Sequence, residues 1–205
     1  MISASTVKEL REVSGAGMMD CKKALEEAGG DIKKAMEVLR KNGIAKAQKK
    51  VGRSATDGII IPYIHPGSKL GVLLEINCET DFVARTDAFQ DFCKDVAMHI
   101  AAAAPMTVSR EELSEDVINT EKNIFRDQSK KSGKPDEIIE KMIDGRMNKF
   151  YQENVLMEQS FVKNPDLSIN DLMTETIAKL GENISISRFS RYQLGENTSS
   201  QELTE

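Results

Sequence analysis

The sequence predicts an α+β fold: a small three-helix bundle at the N-terminus, then a core domain in which a small antiparallel sheet packs with helices. Three observations lead there. Through the first 43 residues apolar side chains recur at spacings of three and four between glycine breaks, the pattern of short amphipathic helices. The period then changes to two β-branched runs on either side of Pro66-Gly67-Ser68, a hairpin signal. A third strand-like run returns more than 100 residues later, so the hairpin and the end of the chain share one sheet. The composition agrees, since 205 residues with 40% hydrophobic and 30% charged suffice for a real core.

Taken in order, Ser5 or Thr6 is the candidate cap of a first helix bearing Val7, Leu10 and Val13, and Ser14-Gly15-Ala16-Gly17 stops it. Residues 18–28 form a second helix with Met18, Cys21 and Leu25 aligned, ended by Gly29-Gly30. Asp31 caps a third that sets Ile32, Ala35, Met36 and Leu39 on one face and closes at Asn42-Gly43. Residues 44–52, with Lys46, Lys49 and Lys50, read as a basic helical linker that completes a first domain at 1–53. Strands follow at 58–65 and 70–77, and Pro62, lacking a ladder N–H, assigns the first to a sheet edge or a bulge. A long helix over 87–104 carries Phe89, Phe92, Val96 and Ile100 and ends before Pro105. Ser109 caps a helix through Leu113, Val117, Ile118 and Phe125. Ser132-Gly133 and Pro135 turn it into another through Ile138, Ile139, Met142, Ile143 and Phe150, an antiparallel hairpin over about 109–151. A helix over 168–180, stopped by Gly181, leads to an alternating strand at 183–192 that turns Ile184, Ile186 and Arg188 to one side. The core domain therefore spans 54–194, and 195–205 reads as a loose polar tail.

No run approaches the roughly 18 apolar residues a spanning helix needs, and no leader pattern opens the chain, so a cytoplasmic protein is expected. Cys21, Cys78 and Cys93 make no metal-ligand spacing and are expected as free thiols in packed faces. His65 at a turn and His99 in an apolar helical run are expected in structural roles. No phosphate-binding glycine loop and no nucleophile-base pattern occurs, so the chain reads as a partner of something, without a cofactor, rather than an enzyme. The net charge of −5 hides an asymmetry: residues 1–53 hold 12 Lys/Arg against 7 Asp/Glu, whereas the rest hold 16 against 26. A basic front admits a nucleic-acid arm. Its lysines, however, come in pairs on amphipathic helices without interleaved aromatics, and the chain has no Trp to stack bases, so a protein partner is favoured over direct nucleic-acid binding. Two rival readings are an adaptor whose bundle binds ubiquitin-like or helical ligands, and an RNA-associated translation protein.

The most informative segment is Asn77-Cys78-Glu79-Thr80-Asp81-Phe82-Val83-Ala84-Arg85, where a strand ends and a helix has not begun. Thr80 and Asp81 are cap and turn residues, which puts Phe82 at the tip of a connection. Two readings stand: Phe82 folds back as a staple on Phe89 or the sheet, or it is a half-exposed wedge that enters a partner's pocket beside the Asp81 carboxylate.

These residues carry a resemblance. Thr80-Asp81-Phe82-Val83-Ala84-Arg85, preceded by Glu75-Ile76-Asn77-Cys78-Glu79, resembles the signature of the elongation factor Ts family of bacteria and organelles. The run Ser14-Gly15-Ala16-Gly17-Met18-Met19-Asp20-Cys21-Lys22-Lys23-Ala24-Leu25 resembles that family's other signature. The segments at 97–102 and 181–189 match its pattern as well, so the resemblance extends to about Gly195. It implies a ubiquitin-associated-like N-terminal bundle and a guanine nucleotide exchange factor that acts on the GTPase elongation factor Tu. It further implies that Thr80, Asp81, Phe82 and Val83 intrude beside the partner's magnesium site, while Leu10, Met18 and Met19 lie in bundle segments that dock on the nucleotide-binding domain. Met18 and Met19 suit an adaptable groove contact, with one of the two expected to face inward. The chain is too short for the family's long form, so residues 109–151 stand for a reduced version of its protruding hairpin, and the short members' likeness to halves that pair implies a homodimer.

Overall fold

The computed structural model describes residues 2–130 and 135–196, and among these the chain forms eight α-helices and five strands. The first helix, α1 (Ala4–Ser14), is capped two or three residues earlier than expected: Ser3, not Ser5 or Thr6, accepts a hydrogen bond from the Thr6 N–H at 3.1 Å. Gly15 ends it at φ 65°, in the left-handed region, with its N–H on the Arg11 carbonyl. The second helix, α2 (Met18–Glu27), follows, and then α3 (Ile32–Gln48), capped by Asp31 as expected. Val7, Leu10, Cys21, Ala24, Leu25 and Ala35 form the core of this bundle, with Ile32, Met36 and Leu39 packed against it.

The glycine expected to stop α3 does not stop it. Gly43 lies inside the helix, and a Cβ there would stand 3.3 Å from the Ala178 methyl. The residue is therefore small for close approach to a neighbouring helix, not for a turn. That neighbour is α8 (Ile169–Leu180), whose Lys179 side chain would also meet a Cβ added at Gly15 at van der Waals distance.

A three-stranded sheet has the order β1 (Asp57–Ile64), β2 (Leu70–Cys78), β5 (Ile184–Gln193), with β1 at an edge, where Pro62 is tolerated. Gly58 sits at φ 142° so close to the Ile76 carbonyl oxygen that a Cβ would fall 2.1 Å from it, which only glycine allows. Along β2, Val72, Leu74, Ile76 and Cys78 are buried in strict alternation. On β5, Ile184 and Ile186 are buried as expected. Arg188 is exposed and paired with Glu75 at 2.8 Å, its charged head kept in water.

The short helix α4 (Asp81–Ala84) precedes α5 (Asp87–Ala103), which buries Phe89, Phe92, Cys93, Val96 and Ile100. Ser109 opens only a single 3-10 turn, Arg110–Glu112, and α6 (Glu115–Lys130) begins later, with the Ser114 hydroxyl accepting from the Val117 N–H. Partnered with it is α7 (Asp136–Asn154), and the two close over Ile139, Ile143 and Met147 with Ile118, Phe125 and Phe150. Ile138, expected in that stripe, is exposed, and Met147 takes the position that i+4 spacing from Ile143 dictates. The connection at Ser132-Gly133 and most of the tail, 197–205, lie outside the described residues.

The two-stranded hairpin β3 (Ser160–Phe161) and β4 (Asn164–Ser168) carries no sequence signal, since so short a pair buries little besides Phe161. His99 has the structural role expected of it: buried, its Nε2 faces Gln159 Oε1 at 2.9 Å and its Nδ1 accepts from the Val162 N–H. Burial holds its pKa below the usual 6.5. All three cysteines are buried free thiols. Among the described residues no helix is long and apolar enough to cross a membrane.

By contacts the chain divides into two compact units. One comprises Met1–Ile59, Ile76–Phe92 and Asp171–Ser185, and the other Ile60–Glu75, Cys93–Asn170 and Ile186–Glu205.

Candidate functional site

The segment that ends β2 is organised by two threonine caps in succession. Thr80, extended at φ −136° and ψ 154°, precedes α4, and its Oγ1 accepts from the Val83 N–H at 3.4 Å. Six residues on, the Thr86 hydroxyl donates to the Val83 carbonyl at 2.8 Å and accepts from the Phe89 N–H, starting α5. A helix of four residues cannot persist alone, so these caps and its neighbours must hold α4 in place. Ala84 is buried beneath it. Phe82, on the opposite side, is 80% exposed, which removes the reading in which it staples to Phe89 or the sheet. Asp81, at the start of α4, pairs with Arg85 at 2.8 Å across one turn, and both carry solvent-exposed surface. Val83 is half-buried. The structure therefore brings Thr80, Asp81, Phe82 and Val83 into one capped turn, with an aromatic ring in water beside a carboxylate.

Below the turn lies a polar network that sequence reading did not assign. The Glu182 carboxylate takes the Thr80 N–H on Oε2 at 3.0 Å and the Thr80 hydroxyl on Oε1 at 2.7 Å. Glu79 Oε1 accepts the Asn183 N–H at 2.7 Å, Asn183 Nδ2 donates to the Arg53 carbonyl, and the Arg53 guanidinium stands 3.7 Å from Glu79. Burial, reinforced by the Glu182 and Asp57 carboxylates, pushes the Cys78 thiol pKa up, so Sγ remains a protonated donor to the Thr80 carbonyl at 3.1 Å. The available signal for this network was an acidic residue between a helix-ending glycine and a strand, Gly181-Glu182-Asn183, but its partner is 102 residues away in sequence.

In the bundle, Leu10 is fully buried, so its side chain builds the core beneath the surface and is not itself presented to a partner. Met18 and Met19 are 45% and 63% exposed. The expectation that one would face inward is corrected: they occupy the first turn of α2, before the helix reaches the core at Cys21. Val13 is exposed nearby in sequence, and Asp20 is tied to Lys46 at 2.7 Å.

Comparison with known proteins places the chain in a family. A family model described as Elongation factor TS matches residues 2–196. The elongation factor Ts of Carboxydothermus hydrogenoformans is 56% identical over 202 residues, covering 98% of this chain and 93% of that protein. That of Fervidobacterium nodosum is 58% identical over 195 residues, covering 95% and 99% respectively. That of Thermosipho melanesiensis is 57% identical over 196 residues, covering 96% of this chain and all of that protein.

Proposed function

The chain belongs to the elongation factor Ts family and has the role of a translation elongation factor, and from that premise we propose that it is the guanine nucleotide exchange factor of elongation factor Tu. The observation that carries the proposal is Phe82, 80% exposed at the tip of a turn capped at both ends. Leaving a large aromatic ring in water is unfavourable unless it is buried on binding, and a rigid mount lowers the entropy lost when it is. Phe82 enters the partner beside its nucleotide, Asp81 competes for polar contacts there, and Thr80 and Val83 hold the two in register. Were the partner to hold a magnesium ion at its bound GDP, Phe82 and Asp81 would act by displacing it, which removes charge neutralisation from the phosphates and lets GDP leave faster. Exchange is then linkage: nucleotide and factor prefer different states of one site, so each weakens the other's binding reciprocally. No covalent bond changes.

The bundle at 1–53, with a formal charge of +5 and both Met18 and Met19 exposed, supplies a second contact on the nucleotide-binding domain. In the second unit, exposed Ile60, Ile64, Leu73, Tyr192 and Leu194 support pairing of two copies through this face. The decisive experiment is release of labelled GDP from purified elongation factor Tu at fixed magnesium. Acceleration by micromolar protein is expected, and an unchanged release rate overturns the reading.

A further inference from the structure

Phe82 has little packing of its own, so its direction is inherited from the backbone of α4. That backbone is poorly determined locally. One helical turn is below the length at which hydrogen bonding stabilises itself, and its cap bond, from the Val83 N–H to Thr80 Oγ1, is long at 3.4 Å. The stronger hold comes from outside. Glu182 grips the cap residue at two points, backbone N–H and hydroxyl, through charge-assisted bonds that fix both the Thr80 backbone and the rotamer that aims Oγ1 at Val83.

The grip is reciprocal. Glu79 accepts the N–H of the residue after Glu182, and Glu182 accepts the N–H of the residue after Glu79. Two carboxylates thus cross-tie the end of β2 to the start of β5. Glu182 is itself anchored, because Gly181 closes α8 at φ 77° with its N–H on the Ile177 carbonyl at 2.8 Å.

We infer that Glu182 is the positioning residue of the exchange site: by clamping Thr80 it sets the angle at which Phe82 is presented, without touching the partner. The inference rests on the exchange reading above. Its test joins a measurement that needs no partner to one that does.

In the full-length chain, Glu182→Ala is expected to raise amide hydrogen exchange at Thr80 and Val83 by about 10- to 100-fold, the loss of charge-assisted bonds, with α1–α3 unaffected. GDP release from elongation factor Tu should slow by about tenfold. Glu182→Gln should recover most of both, because its amide can accept the Thr80 N–H on oxygen and donate to the hydroxyl. In a Phe82→Ala background, Glu182→Ala should slow release no further, whereas a merely destabilising change would add its own effect. If Glu182→Ala does not fold, Glu182→Asp, one methylene too short to bridge both donors, decides the matter in the same assays.

Unchanged hydrogen exchange overturns the inference. So does loosened exchange with normal GDP release while Phe82→Ala releases slowly. Normal release by Phe82→Ala overturns the exchange reading itself, and the hydrogen-exchange result then decides separately whether Glu182 sets the turn.

Discussion

Truncating Phe82 to alanine should separate stability from exchange. A fully buried phenylalanine costs about 3–5 kcal/mol when cut to alanine. Phe82 keeps only about one-fifth of its surface covered, so the loss should stay below about 1 kcal/mol. For a chain of this size that lowers Tm by less than about 4 °C. Binding gives the opposite expectation. An aromatic anchor that becomes fully desolvated in a complex is typically worth at least about 2 kcal/mol, and if it acts only in the nucleotide-free complex, GDP release slows by about 30-fold. Asp81→Ala should act in the same direction with little loss of stability, since its partner Arg85 is largely exposed and such pairs contribute at most about 1 kcal/mol. Stopped-flow release of labelled GDP, paired with a melting curve for each variant, reads both quantities. A drop of ten degrees or so in Tm with normal release in the cold would instead make Phe82 a packing residue and put the displacing element elsewhere.

Replacing Met18 and Met19 together by alanine should weaken binding to elongation factor Tu in titration calorimetry while leaving Tm within a few degrees, as both are exposed; unchanged affinity removes them from the interface. Sedimentation at tens of micromolar should give twice the 22.8 kDa chain mass, and Leu73→Glu should return the monomer; a monomeric parent protein counts against pairing through the sheet. His99, held below its usual pKa by burial, is protonated more readily in the unfolded chain than in the folded one. Its contribution is therefore intact above about pH 6.5 and is lost as pH falls below that value. Tm should decline less between about pH 7.5 and 5.5 in His99→Gln than in the parent protein, and identical profiles would remove His99 as the cause.

Much of the fold was legible because it is written in local periods. Val7, Leu10, Cys21, Leu25 and Ala35 recur at helical spacing and do form the bundle core, and the alternation of Val72, Leu74 and Ile76 around a Pro-Gly turn is a hairpin in any context. The capped turn at 80–83 was legible too, since Thr80 is a cap by its chemistry.

What local pattern could not supply was the reason for a residue when that reason lies across the fold. Gly43 has the composition of a helix stop, yet it is a point of close approach to Ala178, 135 positions away by number. Met18 falls in register with Cys21 and Leu25, yet it is exposed because the helix enters the core only after its first turn. Whether Phe82 turned in or out had two equally good local answers. Glu182 carries no periodic signal at all. Local pattern was enough for most of the helices, the hairpin and the family resemblance. Long-range packing selects which apolar residues stay in water and which carboxylates hold the turn. Periodicity records what a residue needs from its own element, whereas burial and hydrogen-bond partnership depend on which distant segment chain closure brings against it.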